Sequence, residues 1–242
     1  MAKTVCGTRS IRESSEMKCV LAVFLALLAA ACSQPTDQTA GTAMPASTPA
    51  PVDLPAGAYT LDRSHASLIF KVNHLGFSNY TARFKRFDAE LQLDPQNPAA
   101  AGLTATVDAT SIETDYPDPA TLDFNAQLQG AEWLNTAEFP EMTYKSTNIE
   151  MTGPHTATIT GDLTLRGVTH PVTLDATYNG GWKGIEQDPH ARIGFSAHGT
   201  LKRSDYGMSF GIPAPGTTLG VGDEVSIIIE AEFTGPAWQK PE

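Results

Sequence analysis

The chain has 242 residues, 41% of them apolar, which is ordinary for one or two globular domains. Its 27 acidic side chains outnumber 16 Lys and Arg, a formal charge of −11, which argues against a nucleic-acid partner and against an electrostatic grip on anionic headgroups. All three cysteines (Cys6, Cys19, Cys32) lie in the first 32 residues, so the body has neither a disulfide framework nor a thiolate metal site.

From Cys19 to Ala31 the chain reads CVLAVFLALLAAA behind Lys18. As a helix this run spans about 20 Å, short of the roughly 30 Å hydrocarbon core, so it reads as the apolar region of a signal peptide. Residues 1–31 are therefore expected to be an export signal. Leu28-Ala29-Ala30-Ala31-Cys32 resembles a bacterial lipobox, with Ala29 where Leu is commonest and Leu28 one place early. Lipidation of Cys32 is the expectation; cleavage after the small residues, leaving a free thiol, is the alternative. Met17-Lys18 makes a tidier start than Met1. Ser33 stands where Asp would suggest inner-membrane retention, so the expected location is the periplasm, lipid-anchored, at the outer rather than the inner membrane.

Residues 32–55 are rich in Pro, Thr, Ala and Ser without apolar periodicity. Such a stretch cannot bury enough surface to offset its ordering entropy, so it is expected to be a disordered tether with an r.m.s. span of about 25 Å.

After residue 56 the period is two. Ala66, Leu68, Phe70 and Val72 alternate with polar neighbours, as do Leu103 to Ala109, Ala157 to Leu165, Val172 to Tyr178, Ile193 to Gly199 and Val225 to Phe233. Each such run predicts a strand with one dry and one wet face. Tyr80, Ala82 and Phe84 alternate, then Phe87, Ala89, Leu91 and Leu93 resume after a step of three, the signature of a β-bulge. A similar step falls between Ala109 and Ile112. Between residues 117 and 140 the pattern changes, and a short helix is expected to end at Gly130. The expected fold of residues 56–238 is all-β: an eight-stranded antiparallel barrel with a short helical insert, closed because closure removes exposed edges. A two-sheet sandwich is the alternative.

Several segments carry a family resemblance. They are YTLDRSHASLIFKVNHLGFS from Tyr59, FKRFDAELQLD from Phe84, Ser111 to Thr114, AEWLNTAEFPEMTYKST from Ala131, GDLTLRGVTHPVTL from Gly161, LKRSDYGMSFG from Leu201 and VGDEVSIIIEAEF from Val221. In this order and spacing they resemble the YceI-like family, over nearly all of residues 57–236. The resemblance implies a lipocalin-like periplasmic barrel that binds polyisoprenoids and other amphiphiles. Ala82 replaces the family's usual Gly, and Trp133-Leu134 its usual two aromatics.

The inward row expected from apolarity is Phe70, Val72, Phe84, Phe87, Leu91, Ile159, Leu163, Phe195, Ile227 and Ile229. These side chains either fill the barrel as a core or line a lumen for a slender ligand. With the resemblance, the expected function is storage or carriage of a long-chain amphiphile, a polyisoprenoid or an isoprenoid quinone, without catalysis. Candidates for its head group are Asp62, His65, His74, Arg203, Ser204 and Asp205, since an Arg fork suits phosphate or carboxylate. For Arg203 to Asp205 the alternative is a local salt-bridged turn, and for the histidines a loop hydrogen bond. No G-x-S-x-G, P-loop or H-E-x-x-H motif is present, and no cofactor or metal is expected. A barrel isomerase or cyclase and a cargo-free module docking through residues 179–190 are the other readings; homodimerisation is left open.

Overall fold

In the computed structural model, which describes residues 53–237, the eight alternating runs form strands, and residues 112–113 and 141–151 add two more, ten in all. They are β1 (Gly57–His74), β2 (Ser78–Phe84), β3 (Phe87–Leu93), β4 (Gly102–Asp108), β5 (Ile112–Glu113), β6 (Glu141–Met151), β7 (Thr156–Leu165), β8 (Val168–Trp182), β9 (His190–Lys202) and β10 (Val221–Ala237). The expected signal peptide, Cys32 and the tether up to residue 52 lie outside the described residues.

The strands form one antiparallel sheet in the order β10-β9-β8-β7-β6-β4-β3-β1-β2-β5, and β10 pairs back onto β1. That pairing runs from Thr60 opposite Thr234 to His74 opposite Val221. It closes the sheet into an eight-stranded barrel, because β2 and β3 run in succession along β1, and β5 and β4 along β2 and β3. Closure leaves no room for a two-sheet sandwich.

Both steps of three are real breaks. Lys85 and Arg86 leave the ladder between β2 and β3, and Ala109–Ser111 form a single 3-10 turn between β4 and β5. The breaks face each other: the Lys85 N–H donates to the Ser111 carbonyl at 3.1 Å, and the Asp108 N–H to the Arg86 carbonyl at 3.0 Å. Two adjacent strands therefore bend together, as a closing barrel requires.

The insert between β5 and β6 holds the single α-helix among the described residues, α1 (Phe124–Gln129). Asp123 caps it by accepting the Ala126 N–H, and the helix stops at Gly130, as the sequence predicts. Asn125 pins the insert to the barrel by accepting the Thr114 N–H and hydroxyl at 2.9 and 2.6 Å.

Packing is concentrated at the two ends. One cluster joins Phe84, Ile112, Leu128, Leu134, Met142 and Tyr206 under the insert. The other joins Leu54, Tyr59, Leu61, Leu91, Ile193 and Phe233 at the far end. Tyr144 crosses Gly161 so closely that a Cβ there would lie 2.4 Å from the Tyr144 Cζ. Only glycine allows this approach.

Candidate functional site

The centre of the barrel is hollow. A cavity of about 1090 Å³ runs between the two packed ends, walled almost wholly by apolar side chains. Phe70, Val72, Phe84, Phe87, Leu91, Ile159, Leu163, Phe195, Ile227 and Ile229 all stand on its wall. Most are only half-buried although they point inward, because they face empty space rather than one another.

Small residues make the room. Ala157, Ala176 and Ala197 sit side by side across β7, β8 and β9, and Ala89 faces Ala105 across β3 and β4. All five line the cavity. Inward alanine was legible as an apolar position, but nothing local in the sequence says that these alanines fall at one level.

The insert completes the wall near β5. Leu122, Phe124, Leu128, Trp133 and Leu134 reach the cavity. Phe210 packs edge-on against Trp133 with ring centres 5.6 Å apart, and the Arg203 guanidinium lies 5.3 Å from the Trp133 ring centre. Cation and indole attract at this distance. Sequence reading singled out Trp133 and Leu134 as departures from the family pattern but missed Leu122, Phe124 and Leu128 as cavity residues, because no period relates them to the strands. At the other end Leu54 reaches the wall, and His155 stacks flat on Tyr178 at 5.5 Å.

The six head-group candidates scatter. His74 and Arg203 reach the cavity wall. Asp62 and His65 do not: the β1–β10 register shifts between Leu61 and Ala66, which puts them outside the barrel. There His65 Nδ1 meets the Asp62 carboxylate at 2.9 Å. Their hydrogen bond raises the His65 pKa and lowers that of Asp62. Glu232 completes an exposed group with them on this outer surface.

Ser204 is occupied too, its N–H and hydroxyl donating to the Asp223 carboxylate at 2.9 and 2.8 Å. Asp205 presents its backbone carbonyl to His170 Nε2. The salt-bridged turn does not form; a 3-10 turn does, ended by Gly207 at φ 76. Arg203 is 3% exposed, and its guanidinium donates to the carbonyls of Gly222, Met208 and Val221 at 2.7–2.8 Å. Burial lowers its pKa, against the attraction of nearby Asp223.

Among the described residues, no carboxylate or lysine lines the cavity. Its polar groups are hydroxyls, amide, imidazole and the single guanidinium. Tyr144 donates to the carbonyls of Ile159 and Val172 at 3.1 and 3.3 Å, and burial pushes its pKa up to about 12. The arrangement can hold a long apolar chain with few polar contacts.

The YceI-like domain model matches residues 59–233. Protein YceI of Escherichia coli O157:H7 is 37% identical over 180 residues, covering 73% of this chain and 86% of the relative. A crystal structure of the Campylobacter jejuni YceI protein superposes with a TM-score of 0.57 at 28% identity, covering 69% of this chain and 91% of that one. A polyisoprenoid binding domain from Saccharophagus degradans superposes with a TM-score of 0.51 at 14% identity, covering 74% of this chain and 98% of that one, and so shares the fold.

Proposed function

The chain belongs to the YceI-like family, and from that premise we propose that its barrel binds one long-chain amphiphile for storage or carriage in the bacterial envelope. The cargo class is a polyisoprenoid or an isoprenoid quinone, and no covalent step is involved. The observation that carries this reading is the apolar lumen of about 1090 Å³. Ligand pockets are usually about 300–1,000 Å³, so this one is at or beyond the upper end. At roughly 30 Å³ per heavy atom, the share of one water in the liquid, it holds on the order of 35 heavy atoms. That suits a chain of several isoprene units better than a compact metabolite. The S. degradans domain, described as polyisoprenoid binding, supports the same class.

Energetics favour exchange over capture. At roughly 0.8 kcal/mol per buried carbon, such a chain gains on the order of 28 kcal/mol on leaving water. Non-covalent affinity saturates near about 18–21 kcal/mol, so the sum cannot appear as net binding. The cargo instead starts in a bilayer, where its tail is already in hydrocarbon, and the move into the barrel is close to neutral. A protein that matches the bilayer can load and unload.

His74 and Arg203 are the two original head-group candidates that reach the lumen, and they fit a polar end at the insert side. The signal-like residues 1–31 and Cys32 support export and a lipid anchor. Mass spectrometry of an organic extract of protein purified from its native envelope tests the reading. A long-chain lipid in stoichiometric amount is expected; an empty extract removes the carrier role and leaves catalysis or protein docking to be assayed.

A further inference from the structure

Two loops side by side at one end of the barrel expose large apolar side chains to solvent. Phe77, in the turn between β1 and β2, is 83% exposed, and Leu219, just before β10, is 75% exposed. The loops are fastened together: the Leu75 N–H donates to the Gly220 carbonyl at 2.8 Å, and a Cβ on Gly76 would lie 2.9 Å from the Thr218 hydroxyl oxygen. A further bond, from the Val221 N–H to the Gly211 carbonyl at 2.7 Å, ties the longer loop to itself. The protruding residues therefore sit on a built lip.

Three observations bear on what this lip contacts. First, it is uncharged. Residues 72–82 and 206–222 contain no Asp, Glu, Lys or Arg, in a chain of formal charge −11. At the opposite end the β8–β9 loop alone carries Lys183, Glu186 and Asp188. Second, the turn keeps a leucine where its backbone favours Asn or Gly. Leu75 and Gly76 both have positive φ, 56 and 74, and the Phe77 N–H donates to the His74 carbonyl. Left-handed backbone costs a leucine of order 1–3 kcal/mol, a cost that Asn or Gly at this position would largely avoid. Third, the lip adjoins the lumen, since His74, Tyr80, Phe210 and Val221 line the cavity at this same end.

We infer that this lip is a membrane-docking edge: Phe77 and Leu219 seat in the interfacial region of a lipid bilayer, so that cargo passes between bilayer and lumen without crossing water. This rests on the carrier reading for its purpose, though docking itself does not need a cargo. Contiguous exposed apolar groups at a site mark a contact with another apolar phase. The absence of charge selects a bilayer held by apolar insertion rather than by headgroup charge. The insert, at the same end of the barrel, carries Asp118, Asp123, Glu132 and Glu138. These acids oppose an anionic surface, so a zwitterionic one is the expected host.

The test uses the full chain carrying Cys32→Ser, to remove any anchor there, and phosphatidylethanolamine–phosphatidylcholine vesicles holding a fluorescent polyprenyl alcohol. Three forms are compared: this parent, Phe77→Ser with Leu219→Ser, and Trp182→Ser with Ile185→Ser at the far end. Co-sedimentation and uptake rate should each fall about tenfold or more in the lip variant and stay at the parent level in the far-end variant. Occupancy of the lumen from detergent micelles should be equal in all three. Raising salt from about 0.05 to about 0.5 M should leave parental co-sedimentation unchanged, because apolar contacts are not screened. Unchanged vesicle binding by the lip variant overturns the inference, and so does loss in the far-end variant alone. Light scattering that shows a parental dimer split by the lip substitutions, with vesicle binding intact, makes the lip a contact between copies and overturns it as well. If no form takes up the label from micelles while the lip variant still loses co-sedimentation, the docking edge stands and the carrier reading falls.

Discussion

The Ser111 hydroxyl oxygen accepts the backbone N–H of Arg86 at 3.0 Å, and the same hydroxyl donates to the Asp108 carbonyl at 2.6 Å. Ser111 is 3% exposed, so water cannot replace it. One side chain thus satisfies the donor freed by the break between β2 and β3 and fixes the turn between β4 and β5. Ser111→Ala should lower unfolding stability by about 1–3 kcal/mol, the cost of an unpaired buried donor. Denaturant melts check this, and an unchanged midpoint would show that the bends hold without the stitch.

The alanine ladder across β7, β8 and β9 keeps the lumen open, so filling it should abolish cargo binding without unfolding the barrel. Ala157→Phe and Ala197→Phe each put a ring into the empty centre. Both are expected to weaken polyprenyl occupancy about tenfold or more, while stability changes by less than about 1.5 kcal/mol because a void is available. Fluorescence titration with the labelled alcohol reads the first and thermal melts the second. Full occupancy in both variants would place the cargo elsewhere.

Glu113 predicts an acid limb. Its hydrogen bonds from Lys85, Asn125 and the Asp115 N–H lower its pKa from 4.5 to about 2. A carboxyl depressed on folding contributes stability that is complete above its unfolded pKa and is lost as pH falls toward the folded one. The window is therefore about pH 4.5 down to 2. Glu113→Gln should be less stable than the parent at pH 7, and the gap should narrow across that window. Denaturation midpoints at a series of pH values measure it; a gap independent of pH would mean that the charge is immaterial.

Cys32→Ser should move the protein from washed membranes into the soluble periplasmic fraction, if the small-residue run before it directs lipidation. Fractionation with immunodetection reads the outcome. A variant that stays with washed membranes assigns the anchor to another part of the chain.

Much of the wall was legible because strand alternation is a local property. Phe70 and Val72, or Ile227 and Ile229, announce an inward face through their polar neighbours alone, and the step from Phe84 to Phe87 announces a bend. Gly130 marked the helix end for the same local reason. The head-group candidates fared differently because position near a strand end does not fix direction. A register shift carries Asp62 and His65 outside, and the turn ended by Gly207 commits Ser204 to Asp223 while leaving Arg203 against Trp133.

From its residues alone this chain was bound to form strands with one dry face each, bent at two predictable places. Whether those dry faces would meet or stand apart was not written in any segment. That depended on barrel closure and on the register that sets Ala157, Ala176 and Ala197 at one level, and Ala89 opposite Ala105. Register is fixed by backbone pairing between strands, so only the assembled barrel decides that its middle is a lumen rather than a core.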